Sequence, residues 1–139
     1  MDAEPLYIHI KPGSAPPALP HEPTRTIVVL DQLVAPDWQH LVSRWLIKTG
    51  CLYMLAWGDG CSSWDDSVDM ANAELFGQGG IPDESSAMTT WHADESLMEC
   101  MWFAKNCAMH AVVELERTVL LHVGPAAREQ DLLDAYAEA

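Results

Sequence analysis

The 139-residue chain carries 7 Lys and Arg against 21 Asp and Glu, a formal charge of −14, with 49% apolar residues and six tryptophans. That length suits one domain with a single core, and that apolar and aromatic content excludes a disordered chain. The charge repels nucleic acid and anionic membrane, so it serves a basic protein partner, a divalent cation, or solubility alone.

Residues 1–25 read as an N-terminal arm. "LYIHI" is an edge strand, and the five prolines of "KPGSAPPALPHEP" exclude a helix or a central strand. A single α/β domain then covers 26–139. "TIVVL" (26–30) is an unbroken β-branched run, as in a strand buried on both faces. "APDWQHLVSRWLIKTG" follows as a helix, with Pro36 in its first turn, an apolar stripe of Trp38, Leu41, Val42, Trp45 and Leu46, and Gly50 as the stop. "CLYMLAW" (51–57) is the next strand. "SSWDDSVDMANAELFG" is a second helix with Trp64, Val68, Ala71 and Leu75 inward and Gly77 at its end.

"AMTTWH" (87–92) is a third strand and Asp94–Met109 a third helix. "AVVELE" (111–116) is either a short hairpinned strand or a connector. "TVLLHV" (118–123) is a fourth strand, and "AAREQDLLDAYAEA" the last helix. Strand and helix alternate with short connections. The expected fold is therefore a three-layer α/β sandwich, flavodoxin-like or Rossmann-like, with a mainly parallel four- or five-stranded sheet covered on both faces. The third helix is apolar on nearly every side. That predicts burial by its neighbours and the N-terminal arm, or a homodimer through residues 94–109.

The cysteines Cys51, Cys61, Cys100 and Cys107 form no C-x-x-C pair and read as reduced, mostly buried thiols, with Cys61 the best candidate for exposure. No basic segment leads into an apolar run, and no apolar stretch approaches about 18 residues, so a soluble, cytoplasmic protein is expected.

Ligands of open α/β sheets bind beyond the carboxyl ends of the strands. The residues there are Asp31, Trp57, Asp59, Cys61, Asp65, Asp66, His92, Asp94 and His122, and they form the candidate binding rim. Each also has a structural explanation. Ser62 or Ser63 can cap the second helix, with Asp65 and Asp66 complementing its dipole, and Asp94 can cap the third. Asp31 can be a turn residue, the two histidines satisfied hydrogen-bonding groups, and Trp57 core.

Glycine fingerprints for dinucleotides and phosphates are absent, as are G-x-S-x-G, H-E-x-x-H and an EF-hand loop. From Thr49 through Ala104 there are ten acids and no Lys or Arg. The leading expectation is an acidic, non-catalytic interaction domain that binds a basic protein, as an inhibitor or immunity-type protein does. The alternative is a hydrolase or transferase in which Asp31, Asp59 and Asp65 or Asp66 hold Mg²⁺ or Mn²⁺ and His92 or His122 moves protons. Zinc would prefer Cys61 with the histidines.

The strings "WGDGCSSWDDSVDMAN", "MTTWHADESLMECMWFAKN" and "TVLLHVG" resemble a family of small bacterial domains of unknown function, over about residues 25–123. The resemblance implies a bacterial source and a stand-alone domain with a Trp-Asp-Asp and Thr-Trp-His core. It implies no activity and no residue role.

Overall fold

The computed structural model describes residues 4–139. Its centre is a sheet of five strands, all parallel: β1 (Leu6–Ile10), β2 (Thr24–Leu30), β3 (Cys51–Gly58), β4 (Met88–Trp91) and β5 (Arg117–Val123). Their order across the sheet is β1-β5-β2-β3-β4. The helices are α1 (Pro36–Lys48), α2 (Trp64–Phe76), α3 (Leu97–Asn106) and α4 (Glu129–Glu138).

Alternation along the strands divides the core into two layers. Val28 and Leu30 of β2 and Met54 and Ala56 of β3 pack with Val42 and Leu46 of α1 and Trp64 and Val68 of α2. Ile27, Val29, Tyr53 and Leu55 point the other way, toward Met101 and Ala104 of α3 and Leu132 and Tyr136 of α4. This is the expected three-layer α/β sandwich with helices on both faces.

The N-terminal arm lies in the same sheet. β1 pairs in register with β5, from Leu6↔Val119 to Ile10↔Val123. The proline-rich link then crosses over α1, where the indole N–H groups of Trp38 and Trp45 donate to the carbonyls of Ser14 and Pro17, each at 2.8 Å. The arm covers α1 rather than α3.

Several local expectations need correction. α3 is not buried nearly all round. Cys100, Met101 and Ala104 form one inward stripe, while Trp102 is 53% exposed and Met98 36%. The helix also starts later than Asp94, because Ser96 is its N-cap, with the Ser96 and Glu99 side chains each bonding the other's backbone N–H. Asp94 instead sits in the loop before it with a left-handed backbone, φ 63°. Leu41 and Leu75, placed on inward stripes, are exposed, because Ser43 and Asn72 take buried positions on α1 and α2. Residues 111–116 have no regular structure. They are held by His110, whose Nε2–H donates to the Ser86 carbonyl and whose Nδ1 accepts from the Val112 and Val113 N–H groups.

Candidate functional site

Two groups of polar side chains stand at the carboxyl edge of the sheet, and the topology explains their separation. Central strands β2 and β5 are neighbours, but the chain leaves β2 toward the α1–α2 layer and β5 toward the α3–α4 layer. Connections that diverge in this way open a crevice at the strand ends, the usual ligand position in open α/β sheets.

That crevice is occupied by the protein's own side chains. Asp31, just past β2, meets His122 of β5, with Asp31 Oδ2 2.6 Å from His122 Nε2. Arg128, at the N-cap of α4, grips Asp31 with two bonds, Nη2 to Oδ1 at 2.7 Å and Nε to Oδ2 at 3.1 Å. His122 Nδ1 lies 2.8 Å from the Tyr7 hydroxyl on β1, which also accepts the Arg128 backbone N–H at 2.9 Å. The His9 ring stacks obliquely 5.2 Å from that of His122, and its Nε2 bonds the Gly124 carbonyl at 2.8 Å.

A neutral His122 protonated at Nε2 satisfies every atom of the chain: Tyr7 donates to Nδ1 and Nε2 donates to the Asp31 carboxylate. Burial raises the Asp31 carboxyl, but the hydrogen bonds from Arg128 and His122 and the charge of Arg128 outweigh it and hold its pKa below the ordinary value. The Asp31 hydrogen bond raises Arg128 in return, and burial raises Tyr7. His122 is fully buried and both its ring nitrogens are engaged inside the protein. It offers no lone pair to a substrate, and the group acts as a strut joining β1, β2, β5 and α4.

Gly124 makes the strut compact. A Cβ there would lie 3.1 Å from Asp31 Cβ and Oδ2 and 3.2 Å from His122 Nε2, tighter than ordinary contact.

The second group surrounds the ends of β3 and β4. Gly58, at φ 108°, ends β3 beside the Leu30 carbonyl, which accepts the Asp59 N–H at 3.0 Å; a Cβ on Gly58 would lie 2.2 Å from that oxygen. Asp59 is exposed on the turn that follows. Cys61, expected to be the exposed thiol, is 5% exposed and packs in the α1–α2 core, whereas Cys107 is the exposed one. The expected serine capping box of α2 does not form. Ser63 is the N-cap residue, but its hydroxyl donates to the Gly60 carbonyl and accepts from Gln39.

Asp65 and Asp66 do occupy the first turn of α2, and Asp69 joins them one turn later. Carboxylate oxygens of the three lie within 4.8 Å of one another, a set that can hold a hard cation. Asp31 and Asp59, expected as ligands, are not in it. Asp69 Oδ1 accepts from the Thr89 hydroxyl of β4 at 3.0 Å. Desolvation raises the Asp69 pKa, the Thr89 bond opposes the rise, and the charges of Asp65 and Asp66 add to it. Asp65 Oδ1 is buried with no hydrogen-bond partner among the described residues.

His92 closes β4, 5% exposed, with Nε2 3.0 Å from the Thr90 hydroxyl and Nδ1 2.9 Å from Glu95 Oε2. The Trp57 indole donates to the Glu95 carbonyl at 2.8 Å. Asp94 and Glu95 are exposed beside them.

Of the nine rim residues, Asp31 and His122 are brought into contact with each other, and Asp65 with Asp66. His92 is held apart with its own partners. Sequence reasoning placed Glu95 beside His92 but missed Tyr7, His9, Gly124, Arg128 and Asp69. The only available signal was the alternation of Tyr7 and His9 in "LYIHI", which puts both on the face of β1 that carries His122 on β5.

No curated protein and no solved structure matches the chain. A family model described as a domain of unknown function, DUF7684, matches residues 5–139, so it includes β1 and α4 as well as the strings that carried the sequence resemblance. The chain belongs to the DUF7684 family of domains of unknown function.

Proposed function

We propose that this is a non-catalytic interaction domain that binds a basic protein through its acidic rim and α2, in the manner of an inhibitor or immunity-type protein of the bacterial cytoplasm. An unneutralised run of acids carries the reading. Of the ten acids between Thr49 and Ala104, all but Asp65 are exposed. Their ion-pair partners among the described residues are histidines, His40 with Glu74 and His92 with Glu95, and no Lys or Arg. Like charges closer than about 8 Å repel with little screening at physiological salt, and a cationic surface relieves that repulsion. Met70, Met88 and Trp91 are exposed in the same part of the chain, 58%, 47% and 49%, and supply the apolar anchors that interface centres use.

The test is capture from an extract of the native host at low ionic strength, followed by titration of whatever is recovered. A basic protein whose affinity falls steeply with salt supports the reading. Recovery of no basic protein, or of one indifferent to salt, refutes it. The exposed Trp102 and Met98 on α3 favour a homodimer as an additional property, which light scattering on the purified chain decides.

The metal-dependent hydrolase or transferase is the second reading, and Asp65, Asp66 and Asp69 favour it as a carboxylate set with one unpartnered oxygen. Calorimetric titration with Mg²⁺, Mn²⁺ and Zn²⁺ tests it; no heat and no thermal shift would remove it.

A further inference from the structure

We infer that the basic partner docks by adding an extended segment to the free edge of β4, with its Lys or Arg side chains on the α2 side of the sheet. This rests on the interaction-domain reading and names the partner's shape and the place it binds. β4 is an edge strand, paired only with β3. The His92 N–H donates to the Ala56 carbonyl at 2.9 Å, which fixes the sense of the strand. Backbone groups alternate sides along a strand, so Thr90 and His92 face β3 while Thr89 and Trp91 direct their N–H and C=O groups outward. No partner for those four groups is found among the described residues. An unpaired edge of this kind is a template for strand addition.

The edge is only four residues long, but it lacks the other devices that usually close such a template. It carries no proline, no lysine and no inward charge, and it shows Met88 and Trp91 about half exposed. The pleat puts the side chains of Thr89 and Trp91 on one face, toward α2, since Thr89 bonds Asp69 there. An added strand places every second side chain on that same face, beside Asp65, Asp66 and Asp69 and the Trp91 indole. Carboxylates and an exposed indole both recognise cations, through ion pairing and cation–π contact. Positions in between face Met88 and Thr90 and suit apolar residues.

Charge selects the occupant. A second copy of this chain added edge to edge would bring two Asp65–Asp66–Asp69 sets toward each other, whereas a segment alternating basic and apolar residues complements the edge on both faces.

The probe is a short capped peptide of alternating arginine and valine, titrated into the ¹⁵N-labelled full chain at about 50 mM salt, where screening is weak. Two controls accompany it: the alternating glutamate–valine peptide, and the arginine–valine peptide N-methylated throughout, which keeps its charge but cannot pair. Expected are shifts and slowed amide exchange at Thr89 and Trp91, a change in Trp91 fluorescence, and no binding of either control. Thr89→Pro removes one outward N–H without touching the ladder to β3, and weakens binding at least about fivefold. Thr89→Val, which loses only the Asp69 bond, weakens it less.

Equal binding of the N-methylated peptide overturns the inference, as does binding that leaves Thr89 and Trp91 unperturbed, or no binding at all. The interaction-domain reading is judged separately, by the captured partner. A basic partner recovered from the host whose affinity is unchanged by Thr89→Pro sinks the edge while leaving that reading intact. Should Thr89→Pro fail to fold, the N-methylated peptide and the exchange rates decide.

Discussion

Asp31 is the member of the central strut whose removal is most informative. Asp31→Ala leaves His122 Nε2 fully buried without its acceptor, and an unsatisfied buried polar group costs about 1–3 kcal/mol. It also releases Arg128, but that side chain is 37% exposed, so solvent screening limits the ion pair to about 1 kcal/mol at most. Together these give a loss of about 1–4 kcal/mol, or a fall in Tm of about 3–15 °C for a domain of this size. Asp31→Asn keeps a carbonyl for His122 and loses the Arg128 pair, so its cost is about half as large.

The pH dependence follows from the lowered pKa of Asp31. Its contribution is complete above the ordinary carboxyl value of 3.8 and is lost as pH falls through the depressed folded value. The wild type therefore loses stability in strongly acidic solution in a step that Asp31→Asn lacks. Urea denaturation from neutral pH down to about pH 2 measures both quantities. A change in Tm below about 2 °C for Asp31→Ala, or identical losses for the alanine and asparagine variants, would refute the strut.

Gly124→Ala forces the same side chains apart and costs about 1–2 kcal/mol; combined with Asp31→Ala in a double-mutant cycle, it is less than additive. Ser96→Ala removes the capping box of α3 and destabilises by about 1 kcal/mol, whereas Asp94→Gly relieves a left-handed backbone and is neutral or stabilising, as paired thermal melts will show. Thiol labelling of the native protein modifies Cys107 quickly and leaves Cys51, Cys61 and Cys100 protected, because burial pushes Cys51 up to about 11 and Cys100 up to about 12 and also encloses Cys61; mass spectrometry of tryptic peptides reads the pattern.

The layered fold was legible because unbroken β-branched runs such as "TIVVL" cannot sit in a half-exposed strand, and their alternation with helical periods leaves few arrangements other than a parallel sheet. The carboxyl edge as a gathering place was legible for the same reason, and Asp31 and His122 do meet there, as a strut. Strand order was not. Nothing local says that β5 inserts between β1 and β2, so the meeting of Tyr7, His122 and Arg128 could not be read. The ends of helices failed where two polar residues competed. Ser96 and Asp94 both suit an N-cap, and the choice falls to Ser96 because Glu99 lies three residues beyond it. Cys61 misled because its glycine neighbours suggest an open loop, while the turn they form folds the thiol into the α1–α2 core.

The strand order has a consequence for how the protein is made. β5 holds β1 and β2 on its two sides, yet it leaves the ribosome after all the other strands, and Tyr7 waits 115 positions for His122. Until then β1 has no neighbour and β2 shows an unpaired row of backbone N–H and C=O groups on the side away from β3. A nascent chain stalled before residue 117 is thus half a sheet, sticky along its middle. Closure late in synthesis, by a single insertion between two waiting strands, makes slow translation or premature termination a route to aggregation for this fold.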